Sequence, residues 1–191
     1  MRVWYCCAVL VLAGSTLVTS AQMGSTSAKV APGTQMAPAQ AQDELLNLFQ
    51  EEFMGVAKAM PADKYGFAPA SANGAKFDGV RTFAQEVSHV TLANYYFASK
   101  ILGEKPPVDP KALQALTSKD DLLKAAADSF AYAHKAVASI TPENAYVGIE
   151  GVDGMHTRSV VASFISAHGY DHYGQMVEYL RMNGIIPPGS K

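Results

Sequence analysis

The amino-acid sequence predicts an all-α fold, a four-helix bundle that is preceded by a signal peptide and a flexible linker. Four segments repeat apolar residues at alternating spacings of three and four, which is the period of one face of an α-helix. Proline or glycine follows each segment and ends it. No segment shows a sustained two-residue alternation rich in β-branched side chains, so strands are disfavoured. Amphipathic helices of this kind pack best against one another, as a bundle.

The first 21 residues have the layout of a secretory signal peptide. A positive residue follows Met1, residues 3–18 are almost free of polar side chains, and residues 19–21 are small. The apolar run is shorter than the roughly 20 residues that a transmembrane helix needs. We therefore expect cleavage near Ala21 and a secreted or periplasmic protein with no stable membrane span. An uncleaved membrane anchor is the alternative.

Composition excludes several kinds of site and partner. Cys6 and Cys7 are the only cysteines, so cleavage near Ala21 removes both. A disulfide framework, a cysteine nucleophile and a thiolate metal site are then excluded. The formal net charge is -2, and neither a basic block nor an acidic tail is present. The sequence therefore gives no indication of nucleic acid as a partner.

Residues 22–42 are rich in Ala, Gln, Ser, Gly, Thr and Pro, which favours a flexible linker. The folded domain is expected over residues 43–188. The first predicted helix stops at Pro61, and its apolar stripe consists of Leu46, Phe49, Phe53, Val56 and Met60. The second stops at Gly103, ahead of two prolines, and its stripe consists of Phe83, Val87, Val90, Asn94, Phe97 and Ile101.

The third predicted helix starts with a capping signal, because Asp121 follows Ser118 by three residues. Its stripe ends before Pro142 and consists of Leu123, Ala126, Phe130, Ala133, Val137 and Ile140. The fourth helix is expected to run from about Thr157 to Asn183. The glycine and the prolines that follow it are typical of a helix end.

Two long connections join the predicted helices. Residues 62–76 and 143–156 each hold several Gly, Pro or polar residues. Loops of about 15 residues in a compact domain are often functional or mobile. We expect these two connections to cover one end of the bundle.

Two histidines interrupt the apolar stripe of the fourth helix, which consists of Val161, Ile165, His168, His172, Gln175, Tyr179 and Met182. A simple core would place Leu or Ile there, and such conflicts concentrate at functional sites. His168 and His172 are one turn apart, so both imidazoles can bind one cation. His89, midway along the second helix, is the best candidate for a third ligand. The alternative is a set of hydrogen-bonded core imidazoles. His134 is expected to be a packing residue, and His156 a capping or loop residue.

Four further residues are weaker candidates for roles at this site. Glu86 lies one turn from His89, and Asp171 neighbours His172. Either carboxylate could orient an imidazole or act as a base, although the simpler interpretation is a solvated helix carboxylate. The remaining two candidates, for binding substrate or for filling the narrow end of the bundle, are Gln175 and Tyr179.

A family resemblance rests on two segments. The segment HGYDHYGQMVEYLRMNGIIPP, residues 168–188, resembles the last helix of the DinB/YfiT-like superfamily. The segment FAQEVSHV, residues 83–90, resembles the second helix of that superfamily. The resemblance covers roughly residues 43–188 and implies a four-helix bundle, often homodimeric, with a three-histidine site for a divalent metal. The residues that match the family's ligand positions are His89, His168 and His172.

The resemblance also implies a range of activities. Characterised relatives include metal-dependent transferases that use low-molecular-weight thiols, maleylpyruvate isomerases and metal-dependent hydrolases. The predicted export departs from the cytosolic thiol-dependent enzymes, since such thiols are scarce outside the cytoplasm. We therefore expect a metal-dependent hydrolase or transferase that acts on a small-molecule substrate. The alternative is a non-catalytic secreted metal-binding or interaction module with a vestigial site.

The identity of the metal is open, because imidazole ligands suit several transition ions. We expect a divalent ion, namely Zn, Ni, Fe or Mn. No Gly-rich phosphate loop, nucleophile elbow or dinucleotide-binding fingerprint occurs in the sequence. These absences argue against nucleotide and flavin chemistry.

Overall fold

The computed structural model describes residues 30–152 and 154–190, so the predicted signal peptide at residues 1–21 lies outside it. Over this part of the chain there are five α-helices and one two-stranded antiparallel sheet. The elements are α1 (Pro38–Ala59), α2 (Phe83–Leu102), α3 (Pro110–Gln114), α4 (Lys119–Ala138), β1 (Gly148–Val152), β2 (Met155–Thr157) and α5 (Arg158–Met182). None of the described helices combines the length and the apolar character that crossing a membrane requires.

The fold is mostly helical, as predicted, but the prediction of an all-α four-helix bundle was incomplete. The hairpin of β1 and β2, in which Gly148 pairs with Thr157, occupies most of the predicted loop 143–156. Strands of five and three residues are too short for a two-residue alternation to stand out in a sequence. The short helix α3 was also not predicted, although Asp109 caps it by accepting a hydrogen bond from the Lys111 N–H at 2.9 Å.

Helix α1 begins earlier than the sequence predicted. The linker was expected over residues 22–42 and the folded domain over 43–188, whereas the helix starts at Pro38. Proline suits the first position of a helix, because its φ is already helical and its missing N–H has no partner to lose there. The Gln40 side chain accepts a hydrogen bond from the Ala37 N–H at 3.0 Å. The Ala- and Gln-rich residues that indicated a linker are also good helix formers, and here they extend α1.

The four long helices form the bundle. Helix α1 packs against α4 and α5, and α2 packs against the same two helices, so α1 and α2 are diagonally opposite. The apolar stripes meet in one core, and in α4 it is Leu122 rather than the predicted Leu123 that is fully buried. The largest fully buried aromatic side chains are Phe49, Phe53, Phe83 and Phe130. Because α2 and α5 are neighbours, residues on their facing sides can meet.

Several predicted helix ends are confirmed. The Ser118 side chain accepts a hydrogen bond from the Asp121 N–H at 3.1 Å, which caps α4. Gly103 follows α2 with φ of 71°, and Gly184 follows α5 with φ of 72°. These left-handed conformations favour glycine, since a Cβ would be strained there.

Helices α1 and α5 approach each other closely beside His168. Gly169 is buried, and a Cβ added at this position would overlap the ring of Phe49. That ring is itself enclosed, because its centroid lies 5.4 Å from the ring of Phe130 and 5.2 Å from the ring of Tyr170. The absence of a side chain at Gly169 therefore sets the distance between the two helices next to a candidate ligand.

The start of α2 is held by its cap and by the preceding connection. The Thr82 side chain accepts a hydrogen bond from the Gln85 N–H at 3.2 Å, and the Gln85 side chain accepts one from the Thr82 N–H at 2.8 Å. The Phe83 N–H donates to the Phe67 carbonyl at 2.8 Å. The connection between α1 and α2 consequently folds back over the first turn of α2, two turns before His89.

Candidate metal centre

His89, His168 and His172 come together where α2 packs against α5. One ring nitrogen of each lies within 4.8 Å of those of the other two. The ring centroids of His89 and His172 are 4.5 Å apart, and those of His168 and His172 are 4.7 Å apart. His172 is buried, and the other two imidazoles are half-buried. The three side chains are close enough to hold one divalent metal ion.

The donor set fits such an ion. The Nε2 atoms of His89 and His168 are 3.2 Å apart. Two nitrogens that each bind a tetrahedral ion at about 2.0–2.1 Å are about 3.3 Å from each other, so this separation suits a shared cation. Without a cation, one of the two nitrogens must donate a proton to the other, because two lone pairs at this distance repel.

Glu86 contacts the imidazole of His172 on its Nδ1 side. Its side chain is 1% exposed, and its Oε2 lies 2.7 Å from Nδ1 of His172. If Nδ1 of His172 is the donor in this contact, the lone pair of its Nε2 is left for a cation. The interpretation of Glu86 as a solvated helix carboxylate is therefore wrong. Its Oε1 is buried and has no hydrogen-bond partner among the described residues.

Burial and neighbouring positive charge lower the pKa values of His89 and His168. The pKa of His89 is lowered to about 4, chiefly by burial, and the charges of Arg81, His172 and His168 contribute to this shift while Glu86 opposes it. Burial also lowers the pKa of His168, and His172 and Arg81 add to that effect. Neutral imidazoles are the form that binds a metal, so the lowered pKa values of His89 and His168 favour the binding of an ion.

Acidification should therefore destabilise the metal-free protein between about pH 6.5 and pH 4. In this range the unfolded chain protonates His89 near its ordinary pKa of 6.5, while the folded chain keeps it neutral down to about 4. The unfolded state then binds more protons, so this contribution to stability is complete above pH 6.5 and is lost as the pH falls toward 4. The free energy of unfolding, measured with urea near pH 7 and near pH 5, should fall more between these two pH values in wild type than in His89→Asn. An equal loss in both proteins would contradict the expectation.

A cleft borders the site on the side of His89. Its volume is about 880 Å³, and it lies between the start of α2, the connection from α1 and the end of α3. Of the three histidines, only His89 lines it. The other polar residues along its wall are Tyr65, Arg81, Thr82, Gln85, Ser88, Gln114 and Thr117. The cleft gives a small molecule access to one edge of the histidine cluster.

Aromatic rings form another wall of the site. The ring of Phe97 lies 5.6 Å from that of His168, edge to face, and the ring of Phe164 lies 6.0 Å from it. Phe97 is buried and Phe164 is half-buried. These rings reduce the access of water to the His168 imidazole on the side where they pack against it.

The remaining site candidates are less directly involved. Asp171 is exposed, and its carboxylate lies 3.5 Å from the amide nitrogen of Gln175, so neither side chain reaches the histidine cluster through a described contact. Tyr179 is buried, and its hydroxyl donates to the Arg81 carbonyl at 3.1 Å. Tyr179 thus links α5 to the residue just before α2.

The other two histidines lie apart from the cluster. His134 contacts Asp43 through Nδ1 at 2.6 Å and Gln50 through Nε2 at 2.8 Å, so it ties α4 to α1. His156 is exposed on β2. The contacts of His134 agree with the packing role that the sequence indicated, whereas the prediction of a capping or loop residue for His156 was wrong, because it lies in β2 and Thr157 caps α5.

Sequence reasoning missed Arg81 and undervalued Glu86. A signal for Arg81 was available, because it lies two residues before Phe83, where the predicted apolar stripe of the helix that carries His89 begins. Glu86 is three residues before His89, a spacing that places both side chains on one helical face. The partner of Glu86 lies on α5, and sequence spacing alone could not identify it.

Comparison with known proteins gives a consistent result. The sequence profile of the DinB superfamily matches residues 35–176. A DinB-like protein from Bacillus cereus ATCC 10987 has a similar structure, with a TM-score of 0.66 and 16% identity over 78% of this chain and 95% of that one. A conserved protein from Enterococcus faecalis aligns with a TM-score of 0.61 and 18% identity over 78% of this chain and 98% of that one. At these identities the two structures support the fold alone. A search of curated protein sequences gives no match.

Proposed function

Because this chain belongs to the DinB superfamily, we propose that it is a divalent-metal-dependent hydrolase or transferase of a small molecule. The ligands of the metal in this proposal are His89, His168 and His172. The observation that carries the proposal is the convergence of three imidazole nitrogens within 4.8 Å, beside a cleft that a substrate can enter. When bound, a divalent cation supplies Lewis acidity at a coordination position that the protein leaves open.

In this proposal, different residues bind the metal, orient a ligand, exclude water and admit the substrate. Three protein ligands leave a fourth position open, which is typical of catalytic rather than closed structural sites. Glu86 fixes the tautomer and the ring orientation of His172 through the 2.7 Å contact. Phe97 and Phe164 pack against His168 and limit water on that side. The cleft beside His89 admits the substrate.

Metal content tests the proposal. The mature protein, His168→Ala/His172→Ala and His156→Ala would be purified without a His-tag and exposed separately to Zn, Ni, Mn and Fe. We expect about one ion per chain in wild type and in His156→Ala, and a negligible amount in the double variant. His156→Ala is the matched control, because it removes an exposed histidine outside the cluster. Equal metal content in the wild type and the double variant, with helicity intact, would refute the site.

Turnover separates the two functional interpretations. The metal-loaded protein would be screened against activated esters, amides and group-transfer substrates. Activity that requires the metal and disappears in the double variant supports the enzyme. Full metal occupancy without turnover across the screen would instead favour a non-catalytic secreted metal-binding module.

Export is part of the proposal. We propose that residues 1–21 direct the chain out of the cytoplasm and are removed near Ala21. The intact mass of the protein recovered from its natural compartment tests this, and a mass that includes residues 1–21 would contradict cleavage. A homodimer, which the family resemblance implies, stays a prediction that sedimentation velocity can check.

A further inference from the structure

We propose that Arg81 selects a substrate with an anionic group, a carboxylate or a phosphate, and positions it beside the three-histidine centre. This inference deepens the proposed function and rests on it. It concerns which small molecule the cleft accepts, and it assigns the recognition of charge to one side chain.

The charged residues that line the cleft are of one sign. Among the described residues that line it, Arg81 is the only Lys or Arg, and there is no Asp or Glu. The other polar lining groups are hydroxyls, amides and the His89 imidazole. The cleft therefore carries one positive charge with no negative charge on its walls. That pattern is complementary to an anion and unfavourable to a cation.

Arg81 is held at the start of α2, next to the helices that bear the histidines. Its carbonyl accepts a hydrogen bond from the Tyr179 hydroxyl at 3.1 Å, and the next residue, Thr82, caps α2. The backbone of Arg81 is thus fixed between α2 and α5, the two helices that provide the histidines. Arg81 and His89 both line the cleft, so the residue lies beside the histidine cluster.

The Arg81 guanidinium has no carboxylate partner among the described residues. Arg81 is half-buried, yet no described carboxylate lies within 4.0 Å of its side-chain nitrogens. Arginine offers a planar fork of donors that matches the two oxygens of a carboxylate or a phosphate. A cation at the histidine cluster would add further positive charge beside it. An anionic ligand compensates both charges at once.

One internal alternative competes with a ligand. Oε1 of Glu86 is buried without a described partner, so an internal ion pair between Arg81 and Glu86 is the alternative to an anionic ligand. In that arrangement Arg81 would neutralise Glu86 and have no preference for anions. The two arrangements differ in what the protein binds, so ligand preference distinguishes them.

A matched pair of probes tests the inference on the mature protein loaded with Co²⁺. Succinic monohydroxamate and butanohydroxamate carry the same metal-binding group and similar chains, but only the first has a carboxylate at its far end. Binding is followed through the visible absorption of Co²⁺, which needs no turnover. We expect wild type to prefer the carboxylate-bearing probe about 10-fold or more, as expected for a charge-assisted hydrogen bond. Competition by acetate and by inorganic phosphate then identifies which anion the cleft favours.

Three variants assign the preference to Arg81. Arg81→Gln should abolish the preference while binding butanohydroxamate as wild type does, and Arg81→Lys should retain part of it, because the charge remains without the fork. Lys105→Gln removes an exposed charge that lies outside this cleft and should change nothing. Retained helicity in Arg81→Lys keeps the test valid if Arg81→Gln fails to fold.

The outcomes separate this inference from the proposed function. Absence of a Co²⁺ spectrum in wild type overturns the metal site and, with it, the inference. A normal spectrum with equal binding of both probes overturns the inference alone. A preference that persists in Arg81→Gln also overturns it, because another group would then recognise the anion.

Discussion

Replacing Glu86 by Gln should weaken metal binding about 10–100-fold, the usual effect of removing a carboxylate that orients a metal-bound histidine. The amide can still accept a hydrogen bond from Nδ1 of His172, so the ring keeps a partner. What is lost is the negative charge at 2.7 Å, which makes the imidazole a stronger donor to a cation. Competition with a chromophoric chelator for Zn²⁺ measures the change in affinity.

Asp171→Asn is the matched control for that variant. It removes one carboxylate charge next to His172 in sequence, but from an exposed side chain. Water and salt screen such a charge, so we expect a much smaller change in affinity. Equal losses in Asp171→Asn and Glu86→Gln would mean that overall charge, rather than the buried contact, controls binding.

Replacing Gly169 by Ala should destabilise the protein by about 1–3 kcal/mol, the usual cost of overpacking a core. The added Cβ would overlap the ring of Phe49, which Phe130 and Tyr170 prevent from moving aside. To make room, α5 must move away from α1. Because the preceding residue is His168, the same movement should also weaken metal binding. Urea unfolding of the metal-free protein measures the first effect, and chelator competition measures the second.

Gly174→Ala is a control within the same helix. A Cβ at Gly174 meets no atom within 4 Å, and the residue is exposed. Alanine should therefore stabilise α5 there by about 0.5–1 kcal/mol, because glycine is the weaker helix former. If the free energy of unfolding changed in the same direction in Gly169→Ala and Gly174→Ala, the close contact between α1 and α5 at Gly169 would be contradicted. Adding Phe49→Leu to Gly169→Ala should recover part of the lost stability.

The sequence predicted the long helices well, because their apolar stripes and end signals are repeated over many residues. The pair His168 and His172 could be recognised because two histidines at a helical spacing replace core residues. His89 was harder, since its place beside them depends on how α2 and α5 pack. Its position midway along the second helix made it the best candidate, and the family resemblance supported that choice.

What the sequence could not predict depends on contacts between distant segments. The partner of Glu86 lies 86 residues away, and no local pattern encodes that contact. The hairpin around Gly151 is too short to have a detectable period, although the close approach of Met155 there leaves no room for a side chain. The early start of α1 was missed because Ala- and Gln-rich composition is compatible with both a linker and a helix.

The placement of the three ligands has a consequence for how the chain folds. His89 and His168 are 79 residues apart, so an ion bound by both closes a long loop of the chain. A disulfide could close such a loop in an exported protein, but residues 30–190 contain no cysteine. An ion present at about 1,000 times its dissociation constant would stabilise the native state by about 4.1 kcal/mol. Metal supply would then determine not only whether the site can react, but also how stable the folded domain is.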